Sequence, residues 1–121
     1  MNNQTLTVAI SESHIIMREC LIQLLSKWGY QVILITSNGQ DLINKLTQSI
    51  QPDICILDTH LSLMNELGAC KLIKEKWPCI QILALTMNVI PALLRNLYGI
   101  ADAVVCKADG ILEIKSVLGQ L

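Results

Sequence analysis

The chain has 121 residues, 52% of them hydrophobic, and nine Lys and Arg against ten Asp and Glu give a net charge of −1. That length makes one domain able to bury its own core, and the near-neutral balance argues against a basic face that grips nucleic acid directly. No apolar run reaches the ~18 residues a membrane span needs, and the polar start Met-Asn-Asn-Gln-Thr lacks the basic region of a signal peptide. The expectation is a cytoplasmic domain with no membrane association. The mean hydropathy of +0.49 fits a sheet covered on both faces. The five cysteines, Cys20, Cys55, Cys70, Cys79 and Cys106, are odd in number and show no Cys-x-x-Cys spacing. Reduced thiols are expected, with neither a zinc site nor a disulfide framework.

In chain order, Leu6 to Ser11 reads as a first strand, followed by the turn Glu12-Ser13-His14 with Ser13 as a helix N-cap. Met17, Cys20, Leu21, Leu24, Leu25 and Trp28 recur at helical spacing, and Gly29 ends that helix. Gln31 to Thr36 is a second strand. Ser37-Asn38-Gly39 turns into a helix whose stripe is Leu42, Ile43, Leu46 and Ile50. The third strand, Pro52 to Asp58, is apolar on both faces, suits the middle of a parallel sheet, and ends on a carboxylate. The loop Thr59 to Glu66 leads to a helix through Lys76, which Trp77-Pro78 closes. Ile80 to Thr86 is the fourth strand. Met87 to Pro91 is a loop, with Pro91 in the first turn of a short helix to Tyr98. Ala101 to Cys106 is the fifth strand, and Lys107-Ala108-Asp109-Gly110 leads to a last helix, Ile111 to Leu121.

Strict β-α alternation with short links implies parallel strands, right-handed crossovers and helices on both faces. The fold class is therefore α/β: a flavodoxin-like doubly wound five-stranded parallel sheet with five helices, (βα)5, in three layers. In such sheets the crevice lies beyond the carboxyl ends of the strands. Glu12, Ser13, Asp58, Thr86 and Lys107 all stand there. Two carboxylates, a hydroxyl and an ammonium suit phosphoryl transfer. A carboxylate can take the phosphoryl group as an acyl phosphate, a neighbouring acid can hold Mg²⁺, and hydroxyl and ammonium can bind phosphoryl oxygens.

At these residues the chain resembles a response-regulator receiver domain over nearly all of its length, with residues 1–121 as one receiver. It is most similar to receivers that precede LuxR-type helix-turn-helix outputs. The matching pieces are Glu12 to Glu19, Pro52 to Asp58, Leu85-Thr86-Met87 and Val104 to Lys107. The resemblance implies that Asp58 is the phosphoacceptor, Thr86 the switch hydroxyl and Lys107 the phosphate-pairing lysine. It implies a Mg²⁺ site from Glu12, Asp58 and the backbone carbonyl of His60. A histidine kinase or phosphotransfer protein would be the partner, in a two-component system that regulates transcription. Nucleic acid would be reached only through a helix-turn-helix domain outside this chain.

The departures are specific. Ser13 replaces the second of two adjacent acids, and a neutral hydroxyl is a poorer ligand for a hard dication. Leu61-Ser62 replaces Met-Pro, Glu66 replaces a Gly, and Val104 replaces the aromatic switch residue. Glu66 would sit favourably with a helix dipole. His14, without a Cys or His partner, reads as a surface or capping residue. Ile90, Leu93, Leu94, Leu97 and Tyr98 make one apolar stripe. Ile111, Leu112, Ile114, Val117, Leu118 and Leu121 make another, wider than a core-facing side needs. Homodimer or heterodimer contacts through helices four and five are expected there. Two functions follow: an atypical phosphoacceptor receiver, or a degenerate receiver acting only as a phosphorylation-independent binding module. An enzyme is not expected, since no Gly-rich phosphate loop or nucleophile–base pair is present.

Overall fold

A computed structural model describes residues 5–58, 63–87 and 91–121, with backbone alone for 63–67 and 91–94. The central strand ends on Asp58 as the sequence implies but starts two residues later, at Ile54. β3 (Ile54–Asp58) is buried at all five positions. It lies between β1 (Thr7–Ser11) and β4 (Gln81–Thr86), while β2 (Gln31–Thr36) and β5 (Ala103–Cys106) form the edges. All pairs are parallel, in the order β2-β1-β3-β4-β5. The order reverses direction at β1 and β3. The crevice therefore opens between their carboxyl ends.

Strand side chains alternate between faces, and the alternation splits the core in two. Ala9, Cys55, Leu57, Ile82 and Ala84 pack with α2 (Gly39–Leu46), α3 (Leu63–Lys76) and α4 (Pro91–Ile100). Val8, Ile10, Ile54, Ile56, Leu83, Leu85 and Val105 pack with α1 (Ile15–Lys27) and α5 (Ile111–Leu118). Two covered faces account for the high hydropathy. They also bury Cys55, whose thiol pKa is pushed up to about 12 by desolvation, with Cys70 adding to the shift.

Several elements differ from the sequence reading. Ser13 is not the cap of α1: the N-cap is His14, which makes no side-chain cap bond. Cys20 is exposed, so the α1 stripe turns on Leu21 and Leu25. Gly29 does end that helix, at φ +95°, while the Tyr30 amide donates to the Leu25 carbonyl at 2.9 Å, the long bond of a Schellman turn. α2 stops at Leu46, and Ile50, beyond its end, is 85% exposed. α3 starts at Leu63, ahead of Glu66, whose side chain, like Leu61-Ser62, lies outside the described residues. α4 runs two residues past Tyr98.

β5 begins at Ala103 because Asp102 caps the preceding turn. Its carboxylate accepts from the Ile82 amide at 2.7 Å and from Lys74 Nζ at 3.0 Å. A 3-10 turn (Lys107–Asp109) precedes α5, which ends at Leu118. The surplus apolar residues of α5 find cover: Ile111, Val117 and Leu121 pack against the α1/α5 cluster, and Leu112 alone of that stripe is strongly exposed, at 78%.

These burials set a clear contrast. Leu57→Ala should lower the free energy of unfolding in urea by about 2–5 kcal/mol, whereas Ile50→Ala should stay within about 0.5 kcal/mol of the parent. Equal losses would mean that α2 extends to Ile50 and packs there.

Candidate functional site

The crevice is assembled by strand ends. Glu12 and Ser13 follow β1, Asp58 and Thr86 are the last residues of β3 and β4, and Lys107 follows β5. Glu12, Asp58 and Thr86 are buried. The β1–α1 loop is fixed by backbone bonds: the Glu12 amide donates to the Thr36 carbonyl at 3.1 Å. Arg18 Nη1 donates to the Glu12 carbonyl at 3.0 Å, and the His14 amide reaches Glu12 Oε1 at 3.3 Å. His14 thus contributes its backbone.

Lys107 Nζ lies 2.9 Å from Glu12 Oε1 and 2.9 Å from Asp58 Oδ1. One ammonium, itself mostly buried, therefore bridges two carboxylates that are 95 and 49 residues away in sequence. The Ser13 hydroxyl donates to Asp58 Oδ2 at 3.1 Å. Glu12 Oε2 is buried and receives no hydrogen bond. An ionised carboxylate oxygen in that position calls for a proton or a cation.

The two acids respond differently to this setting. Burial pushes the Glu12 carboxyl above its ordinary value, the neighbouring Asp58 charge adds to the rise, and Lys107 opposes it. Burial also disfavours charge on Asp58. There the Lys107 hydrogen bond and charge, with hydrogen bonds from Glu12 and Ser13, prevail and hold the carboxyl below the usual carboxylate range. Of the two acids, Glu12 is therefore the one more readily protonated.

All five residues singled out in the sequence at strand ends come to this one edge. The sixth, His60, lies outside the described residues. Among the described residues no cluster of three or more His, Cys, Asp or Glu side chains stands ready for a metal. The sequence reading did not anticipate the Arg18 and His14 contacts to Glu12, or the Ser13–Asp58 bond. No spacing rule signals them, because they depend on how one loop folds.

The model of the response regulator receiver domain matches residues 8–115. The chain belongs to the receiver domain family. It is a receiver of the two-component response-regulator kind, and its sheet order is that of the flavodoxin-like receiver fold. It is 30% identical over 117 residues to a protein-glutamate methylesterase/protein-glutamine glutaminase of Archaeoglobus fulgidus, covering 94% of this chain and 33% of that protein. The chain thus spans about one third of that curated relative. Among solved structures, a LuxR-family DNA-binding response regulator from Staphylococcus aureus superposes with a TM-score of 0.84 at 25% identity, over 95% of this chain and 97% of that one. RcsB from Salmonella enterica serovar Typhimurium, bound to promoter rprA with the phosphomimetic BeF3−, gives 0.84 at 23% identity, over 96% and 67%. At that identity the second likeness shows the fold.

Receivers as a family bind Mg²⁺ through acidic residues and interact with histidine kinases or phosphotransfer proteins. The receiver fold is itself non-enzymatic. No helix among the described residues is long and apolar enough to cross a membrane.

The opposite shifts of the two acids separate their effects on stability. Glu12, raised above 4.5, contributes stability that is fully present below 4.5 and lost as pH rises through its raised value. Asp58, lowered from 3.8, contributes stability present above 3.8 and lost as pH falls through its lowered value. Urea unfolding across pH should therefore show Glu12→Gln flattening the decline above 4.5, and Asp58→Asn flattening the loss below 3.8. Curves parallel to the parent's would contradict the assignment.

Proposed function

We propose that Asp58 is the phosphoacceptor of this receiver, with Lys107 and Thr86 as the groups that receive the phosphoryl oxygens. The observation that supports it most is the Lys107 ammonium held 2.9 Å from an ionised Asp58 at the edge where Thr86 ends β4. In the reaction, an Asp58 carboxylate oxygen forms a bond to phosphorus as the bond from phosphorus to a donor histidine nitrogen breaks. The product is an acyl phosphate. Lys107 then pairs with the added negative charge, and the Thr86 hydroxyl turns to donate to a phosphoryl oxygen.

Mg²⁺ fits this site through Glu12 and Asp58. Glu12 Oε2, buried without a hydrogen-bond donor, supplies an oxygen of the hard type Mg²⁺ takes, and the His60 carbonyl is the third donor the sequence suggests. The ion would supply positive charge against the transferring phosphoryl group. With Ser13 neutral, the metal is bound weakly.

Residues 1–121 form one receiver domain in this reading. The domain is cytoplasmic, a histidine kinase or phosphotransfer protein supplies the phosphoryl group, and the output is transcription regulation through a DNA-binding domain outside the chain. Tyr98 on α4 and Leu112 on α5, 64% and 78% exposed, support a homodimer or heterodimer contact at helices four and five. A second reading, a phosphorylation-independent binding module, is favoured by Ser13 and by Val104. Val104 is half-buried against the α2–α4 cluster, and a stiff β-branched side chain cannot swing between poses as an aromatic does.

Intact mass after incubation with acetyl phosphate and Mg²⁺ separates the two. The parent should gain one phosphoryl group, Asp58→Asn none, and Thr86→Ala should gain it more slowly. A parent that stays unlabelled where an ordinary receiver is labelled would leave the binding module.

A further inference from the structure

Ser13 occupies the place of an acid, yet its hydroxyl is not idle. It donates to Asp58 Oδ2 at 3.1 Å, while Lys107 holds Asp58 Oδ1 at 2.9 Å. Both oxygens of Asp58 thus have donors, one neutral and one charged. A hydroxyl has a single proton and two lone pairs. With the proton engaged by Asp58, the lone pairs face away from that carboxylate. A cation lodged between Ser13 and Asp58 therefore requires this hydrogen bond to break first. Charge points the same way. Glu12 and Asp58 against Lys107 leave one negative charge in the ionised crevice. A carboxylate at position 13 would leave two, which a dication balances and a lone ammonium does not.

We infer that Ser13 is a positioning residue whose hydroxyl competes with Mg²⁺ for Asp58 and fixes that carboxylate in the metal-free state. The Asp58 carboxylate is then ordered without a metal ion, and Mg²⁺ adds little to the stability of the site. This rests on the reading of Asp58 as phosphoacceptor, but its readouts, metal affinity and melting temperature, involve no phosphoryl transfer.

The test is Mg²⁺ titration by calorimetry, with thermal melts in EDTA and in excess Mg²⁺, on the parent and on Ser13→Asp, Ser13→Ala and Ser13→Thr. Ser13→Asp should bind Mg²⁺ at least about ten-fold more tightly, melt below the parent in EDTA, and regain the difference with Mg²⁺. Ser13→Ala should melt about 4–8 °C lower in EDTA yet bind Mg²⁺ at least as tightly as the parent, and Ser13→Thr should restore the parent's melt. Weaker Mg²⁺ binding by Ser13→Ala would make the hydroxyl a ligand and overturn the inference. So would a parent whose melt rises with Mg²⁺ as much as that of Ser13→Asp. If Ser13→Ala does not fold, Ser13→Asp against the parent decides. A parent that behaves as expected with Mg²⁺ but takes no phosphoryl group would sink the phosphoacceptor reading and leave the role of Ser13 standing.

Discussion

The ammonium of Lys107 lies between Glu12 and Asp58, 2.9 Å from each, and the crevice is arranged around that bridge. Two carboxylates buried side by side repel each other and lose their hydration. Removing the cation between them would cost on the order of 3–5 kcal/mol. The bridge favours charge on both acids, and their other surroundings separate them. Asp58, held by Lys107 and by the Ser13 hydroxyl, keeps its charge. Glu12, with one buried oxygen lacking a donor, is the group that takes up a proton or a cation. For the proposed role of Asp58, an ionised carboxylate beside its counter-charge is what acyl phosphate formation needs.

The fold supports the bridge through the doubly covered sheet. β3 is buried at all five positions and paired with β1 on one side and β4 on the other, and that pairing delivers its last residue to the crevice. The Arg18 and His14 contacts fix Glu12 on one side, and the 3-10 turn after β5 begins with Lys107 on the other.

Much of this was legible in the sequence because it depends on local rules. An apolar run ending on Asp58, Gly29 after a helical stripe, and five β-α alternations fix the sheet and its crevice. They place Glu12, Asp58, Thr86 and Lys107 together with no alignment. What escaped depends on distant partners. The start of β5 is set by Asp102 reaching Ile82 and Lys74, and periodicity carries no signal for that. Ile50 fits the α2 stripe on paper, but the helix ends before it. The apparent surplus of α5 is absorbed by the α1/α5 cluster, against which Trp28 also packs, with Lys115 over its ring at 6.0 Å from the centre. Ser13 looked like a cap by residue type, and only the folded loop turns its hydroxyl to Asp58.

The most direct measurement is a carbon-13 NMR titration of the side-chain carboxyls of Glu12 and Asp58. Asp58 should titrate below 3.8 and Glu12 above 4.5, and Lys107→Met should raise both. If instead Asp58 held its proton at higher pH than Glu12, or the Lys107 variant left both unmoved, the bridge would not govern the site.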